Sequence, residues 1–240
     1  MKTIFLTGIS RGIGLSIYKL LRTKHNFIGT TRHKSIFYEA FPEENNNPVC
    51  KILEIDFDFA LDDNWNSYFE KITNEFNKLD IDIDVFINNS GVAHFAPFID
   101  CNKDIIRNEY FVNTIAPTIL MEFLLSKMVA RKKGLIINIS SIATKKTFEN
   151  TSLYSASKSA IVALINSIRE EVRKDNIKLI NLFLGATFTD IWDENTKNQY
   201  RQRMILPENV AKIVEHLIEL SDFPDFMVEE ITIKPQLGDL

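Results

Sequence analysis

The chain has 240 residues, 45% hydrophobic and 25% charged, a length and balance that suit one compact domain over residues 1–240. With 28 basic against 32 acidic residues, the net charge of −4 leaves no global positive field of the kind that holds nucleic acid or an anionic membrane. Two isolated cysteines, Cys50 and Cys101, and four histidines without ligand spacing (His25, His33, His94, His216) argue against a disulfide framework or a metal site.

In chain order, seven runs rich in Ile, Val, Leu and Phe recur: KTIFLT from Lys2, NFIGT from Asn26, CKILEID from Cys50, DVFIN from Asp84, LIINIS from Leu135, IKLINLFL from Ile177 and MVEEITI from Met227. Their apolar residues run on rather than alternate, which predicts strands buried on both faces. Between them lie helical patterns over Ile13–Lys24, Asp63–Lys78, about Asp104–Lys132, Tyr154–Lys174 and Glu208–Leu220. Phe41–Pro48, FPEENNNP, reads as a surface loop. Strand and helix alternate, so the expected fold is α/β: a single, Rossmann-like, doubly wound parallel sheet of about seven strands with helices on both faces. Ligands of such sheets bind beyond the carboxyl ends of the strands. TIFL near the start is too short for a signal-peptide core, and no uninterrupted apolar run approaches the ~18 residues that span a bilayer; a cytoplasmic location is expected.

TGISRGIG, Thr7–Gly14, joins the first strand to the first helix. Gly8, Gly12 and Gly14 let the backbone turn tightly and bring N–H groups and a helix N-terminus toward a pyrophosphate. The spacing GxxxGxG, rather than GxGxxG, resembles the TGxxxGxG loop of the short-chain dehydrogenases/reductases. The resemblance makes Thr7, Gly8, Ser10, Arg11, Gly12, Ile13 and Gly14 the nucleotide cradle. It also assigns Asp56, with Phe57, to the adenine, and Asn89, Ser90 and Gly91 of NNSG to the family's NNAG segment along the cofactor. Thr31 stands where an NAD-type member carries Asp, and Arg32 follows it. A ribose 2′-phosphate wants cations and no nearby carboxylate, so Arg11, Thr31 and Arg32 point to NADP(H).

YSASK puts Tyr154 and Lys158 four residues apart on one helix face. A nearby ammonium favours the phenolate and would draw the phenol, ordinarily near 10, toward working range. Ser141 ends the LIINISS strand thirteen residues before Tyr154, the family's separation between its catalytic Ser and Tyr; Ser140 is the alternative hydroxyl. Asn113 matches the family's helix Asn that holds a water in the proton relay. The resemblance therefore implies catalysis by Asn113, Ser141, Tyr154 and Lys158, with Tyr154 and Lys158 also touching the cofactor. After the sixth strand the family has Pro-Gly and then a Thr at the nicotinamide amide; here Leu184 replaces Pro, Gly185 is kept, and Thr187 and Thr189 follow.

The implied function is NADPH-dependent reduction of a ketone or aldehyde carbonyl in a small molecule. Expected substrate contacts are His94, Phe95, Ala143, Phe148 and Trp192. The ending MVEEITIKPQLGDL looks more like bacterial sepiapterin-reductase-like and carbonyl-reductase members than like the 3-oxoacyl carrier-protein reductases, the alternative activity. A sensor or scaffold that binds NADPH without turnover is a third reading, set back by the presence of both Tyr154 and Lys158. The family resemblance further implies a homodimer or homotetramer through the helices around Asn113 and Tyr154, with Ser155, Ala156, Ser159, Ala160 and Ala163 fitting close packing.

Overall fold

The computed structural model describes residues 1–54, 65–79 and 81–240. Among these, seven strands form one parallel sheet: β1 (Thr3–Leu6), β2 (Asn26–Thr31), β3 (Cys50–Glu54), β4 (Val85–Asn88), β5 (Gly134–Ser141), β6 (Ile177–Leu184) and β7 (Glu230–Ile233). Their order is β3-β2-β1-β4-β5-β6-β7. The chain grows outward from β1 to one edge and then from β4 to the other, so the switch point falls between β1 and β4.

The inner strands are buried on both faces, as expected, whereas the edge strands β3 and β7 are not, β7 being partly or fully exposed along its length; alternate residues of the inner strands divide the core. Ile4, Leu6, Ile87 and Ile137 pack under α1 (Gly12–Leu21) and, further along the chain, a helix over Pro207–Leu220. Phe5, Phe86 and Ile136 pack under the opposite layer, where Ile72 and Phe76 of a helix over Trp65–Leu79 meet Leu120, Met121 and Ile161. In chain order the helices are α1, α2 (Lys34–Ala40), α3 (Trp65–Leu79), α4 (Lys103–Tyr110), α5 (Ala116–Arg131), α6 (Ser152–Val172), α7 (Glu194–Tyr200) and α8 (Pro207–Leu220). A π-turn, Phe111–Ile115, joins α4 to α5. The joined helix, Lys103–Arg131, is long and apolar enough by composition to cross a bilayer, which the sequence reading did not foresee. Half of that apolar window is buried within the fold, with Leu120, Met121, Leu124 and Met128 packed on the sheet.

Two short helices depart from the sequence reading. The expected loop at Phe41–Pro48 carries a 3-10 turn, Pro42–Asn46, and α2 precedes it. The cause is an aromatic cluster: Tyr18 meets Phe27, Phe37 and Phe41, each at 5.2 Å, and draws the segment inward. α7 forms because Asp193 caps it, accepting the Thr196 N–H at 3.0 Å.

Three asparagines key the sheet. Asn88, Asn138 and Asn181 sit opposite one another on β4, β5 and β6, each buried. The Asn88 amide donates to Asn138 Oδ1, Asn138 to Asn181 Oδ1, and Asn181 to Asn166 Oδ1 on α6, all at 2.9 Å. The Arg169 guanidinium donates to the same Asn166 oxygen at 3.1 Å.

Candidate active site

The glycine loop is built as a cradle. Gly8 and Gly12 hold φ of +72° and +54°, where a side chain would strain the backbone. A Cβ on Gly14 would fall 2.0 Å from the Gly8 carbonyl oxygen, so the loop closes on itself only with glycine there. Thr7 locks it to the neighbouring strand: its hydroxyl accepts the N–H groups of Asn89 (2.9 Å) and Ser90 (3.0 Å). The Asn89 amide returns hydrogen bonds to the carbonyls of Thr7 and Gly8. α1 starts without a side-chain cap, leaving first-turn N–H donors for an anion.

This loop forms one end of a cavity of about 800 Å³ that continues past Thr31 and Arg32, along Asn89–Val92, to Ser141, Tyr154 and Lys158. Ser10, Arg11 and Ile13 also line it. Thr31 is buried, and Arg11 and Arg32 are exposed, without a side-chain partner among the described residues. Asp56 and Phe57 lie outside the described residues. Gly91 closes the middle: a Cβ there would fall 3.0 Å from Lys158 Nζ and 3.3 Å from Asn113 Oδ1.

Of the expected catalytic set, Lys158 and Asn113 meet at Gly91, and Ser141, Tyr154 and Lys158 line the cavity. Asn113 sits in the π-turn, where its Oδ1 accepts the Val92 N–H (3.0 Å) and its amide donates to the Val92 carbonyl (2.8 Å) and to Ser157 Oγ (3.0 Å). Lys158 is buried and donates to the Ile139 carbonyl at 3.2 Å, and burial pushes its ammonium down to about 8. Ser141 ends β5 with its hydroxyl accepting the Ala143 N–H at 3.1 Å. Ser140 is buried beside it with its hydroxyl unpartnered among the described residues.

Burial pushes the Tyr154 phenol up to about 12; a hydrogen bond with Ser141 opposes the rise and the charge of Glu109 adds to it. The sequence reading expected Lys158 to lower this phenol. Desolvation is the largest influence and Ser141, not Lys158, is what opposes it, so Tyr154 holds its proton at neutral pH, the form that can protonate an oxyanion. Lys158, by contrast, loses its charge as pH rises through about 8. Because the unfolded side chain stays protonated to near 10.5, folding stability gains from this residue as pH climbs from about 8 toward that value.

Beyond β6, Gly185 donates its N–H to the Ile233 carbonyl at 2.8 Å, and a Cβ on it would fall 2.7 Å from Pro235. Thr187 donates to the Gly185 carbonyl at 3.0 Å, and Thr189 approaches Gly12, its methyl 3.2 Å from where a Cβ would stand. The backbone hydrogen bond to β7 and the close approach of the Pro235 ring thus hold the turn in which Leu184 replaces the family's proline.

Phe95, Ala143, Phe148 and Trp192 line the cavity's other end. Phe95 stacks on Trp192 with centroids 5.1 Å apart and meets Tyr154 edge-on at 5.8 Å. His94 is not among the lining residues, though Ala93 and Phe95 on either side are, and its N–H donates to Glu109. The sequence reading missed Glu109, Tyr200, Asp239 and Leu240. Tyr200, Asp239 and Leu240 line the cavity, and Lys146 and Lys234 hold Asp239 at 2.9 and 2.8 Å. Burial pushes the Glu109 carboxyl up to about 7 against the pull of the His94 N–H. Its signal in the sequence is a lone acid four residues before Asn113, in a stretch that turns apolar as it enters the core.

Residues 2–200 match the sequence profile of the short chain dehydrogenase family, and the chain belongs to that family of oxidoreductases. It is 28% identical over 159 residues to sepiapterin reductase of Chlorobaculum tepidum, covering 66% of this chain and 64% of that one, just under two thirds of the relative's length. It is 27% identical to carbonyl reductase family member 4 of Xenopus tropicalis, over 91% of each chain. A 3-oxoacyl-[acyl-carrier-protein] reductase of Aquifex aeolicus is 25% identical, covering 96% of this chain and 94% of that one. Among solved structures, 4-hydroxyisoleucine dehydrogenase complexed with NADH superimposes with a TM-score of 0.85 at 20% identity, covering 100% of both chains. The fold is therefore the family's, and a nicotinamide dinucleotide suits it.

Proposed function

We propose that this protein is an NADPH-dependent carbonyl reductase that converts a ketone or aldehyde in a small molecule to the alcohol. The observation that carries the reading is the convergence of a protonated Tyr154, the Ser141 hydroxyl and buried Lys158 on one cavity that also contains the glycine cradle, with Asn113 buried beside Gly91 and bonded to the Val92 backbone. The backbone space at Gly8, Gly14 and Gly91 suits a dinucleotide along that cavity. The Thr7–Gly14 loop, Arg11, Arg32, the Asn89–Gly91 segment, Lys158 and Thr189 would hold the nucleotide, which when bound would supply the hydride for the new C–H bond. Ser141 and Tyr154 donate hydrogen bonds to the carbonyl oxygen, and Tyr154 releases its proton to that oxygen as charge develops on it. Asn113 and Lys158 support the return of a proton to the phenol.

Arg11 and Arg32 beside a buried Thr31 support NADPH over NADH. Converting the pair at the β2 end, T31D with R32A, will raise the KM for NADPH about a hundredfold and lower that for NADH, on the usual worth of a charge-assisted hydrogen bond. Steady-state kinetics with both nucleotides check this. Reduction rate will also fall as pH rises through about 8, where Lys158 loses its charge.

The far end of the cavity supports an uncharged substrate. The cavity lining includes Glu149, Asp190, Asp193 and Asp239, of which Asp190 is paired with Lys197 and Asp239 with Lys146 and Lys234, while the positive lining side chains are Arg11, Arg32 and Lys158, all assigned to the nucleotide. That balance favours sepiapterin-like or other neutral carbonyls over 3-oxoacyl thioesters on an acidic carrier protein. Measuring NADPH consumption with diketones, quinones, pterins and 3-oxoacyl thioesters tests the reading. Turnover of the thioesters alone selects the alternative activity, and tight NADPH binding with no turnover selects a sensor.

We place the protein in the cytoplasm as a homo-oligomer built on α6. Ala156, Ala160 and Ala163 are exposed on that helix, free of the intramolecular packing that would otherwise account for their size. A160R will shift the protein toward monomer in light scattering.

A further inference from the structure

Glu109 lies four residues before Asn113, and the two side chains grip alternate residues of the segment after β4. Asn113 takes both the N–H and the carbonyl of Val92, and Glu109 Oε1 accepts the N–H of His94. Glu109 is 1% exposed, and its Oε2 is buried with no partner among the described residues. A carboxyl in such a place costs stability that an apolar side chain of similar volume would not, so what it adds is placement. The next residue is Phe95, whose ring stands against both Tyr154 and Trp192.

We infer that Glu109 is a positioning residue, which together with Asn113 holds the Val92–His94 segment so that Phe95 closes an aromatic wall between Tyr154 and Trp192 at the carbonyl end of the cavity. The effect on carbonyl turnover rests on the reductase reading above, whereas the seating of Phe95 does not. Glutamine at position 109 keeps an acceptor for the His94 N–H, and leucine removes it while filling the space. The two variants therefore separate the hydrogen bond from packing.

The chain has two tryptophans, Trp65 and Trp192, so a W65F background reports on Trp192 alone. Acrylamide quenching of Trp192 fluorescence will increase in F95A and, to the same level, in E109L, with no further increase in the double variant. E109Q will match the W65F parent. Circular dichroism melts accompany each variant, and F95A, whose ring is 36% exposed, keeps the comparison readable if E109L melts early. Quenching in folded E109L equal to the parent overturns the proposal, whether or not any carbonyl is turned over. With a carbonyl that is turned over, E109L will raise its KM about tenfold, the worth of one aromatic contact, with the KM for NADPH unchanged. E109Q will stay within about twofold of the parent. An equal rise in both KM values, or no rescue by glutamine, also overturns it.

Discussion

Replacing Tyr154 with phenylalanine will lower carbonyl reduction by about a hundred- to ten-thousandfold, the usual contribution of a positioned proton donor. The substitution removes one oxygen from a ring that keeps its edge-on contact with Phe95, so the pocket wall survives. NADPH affinity will change little, since the cradle at Thr7–Gly14 is built from backbone and from Thr7 and Asn89. Single-turnover rates with saturating NADPH, together with a fluorescence titration of the nucleotide, separate the two quantities. Y154F turning over within a few-fold of the wild type would remove Tyr154 from the acid role.

A methyl group at Gly14 will have a comparable effect by another route. The new Cβ would stand 2.0 Å from the Gly8 oxygen, 2.7 Å from Asn89 Nδ2 and 2.9 Å from the Gly8 carbonyl carbon. Two of these neighbours are backbone and cannot swing away, so the loop must open. G14A will cost about 1–3 kcal/mol in stability, the usual range for overpacking, and will weaken NADPH binding at least about a hundredfold. G134A is the control, because Gly134 lies outside the cavity lining and its nearest neighbours all belong to the flexible Met128 side chain, the closest 2.5 Å away. Thermal melts and NADPH titration of both variants check this. G14A binding NADPH normally would mean that the cradle does not hold the pyrophosphate.

Most of the frame was legible because its signals are local. Continuous apolar runs mark strands buried on two faces, and all seven recur as neighbours in one sheet. Thr7, Gly8, Gly12, Gly14, Ser141, Tyr154 and Lys158 sit at strand ends or on a helix, where spacing translates directly into position. What escaped the reading depends on contacts between distant segments. α2 exists because Tyr18 draws in Phe37 and Phe41, which no window of sequence displays. The high affinity of Tyr154 for its proton comes from burial, which spacing along the chain does not display. His94 looked like a substrate contact from its loop, yet its main chain is what the fold uses.

The asparagine row across β4, β5 and β6 bears on how the chain reaches this state. Parallel strands joined by long crossovers assemble from segments far apart in sequence, a slow kind of search in which near-miss pairings compete. Apolar strands such as LIINIS and INLFL tolerate such misalignment, since Ile set beside Leu differs little from Ile set beside Phe. An amide does not tolerate it: moving β5 by one position against β6 would separate Asn138 from Asn181 and strand two polar groups in a dry interior. The row thus penalises misaligned intermediates during folding, and it sets the height at which Ser141 and Leu184 emerge together at the carboxyl edge.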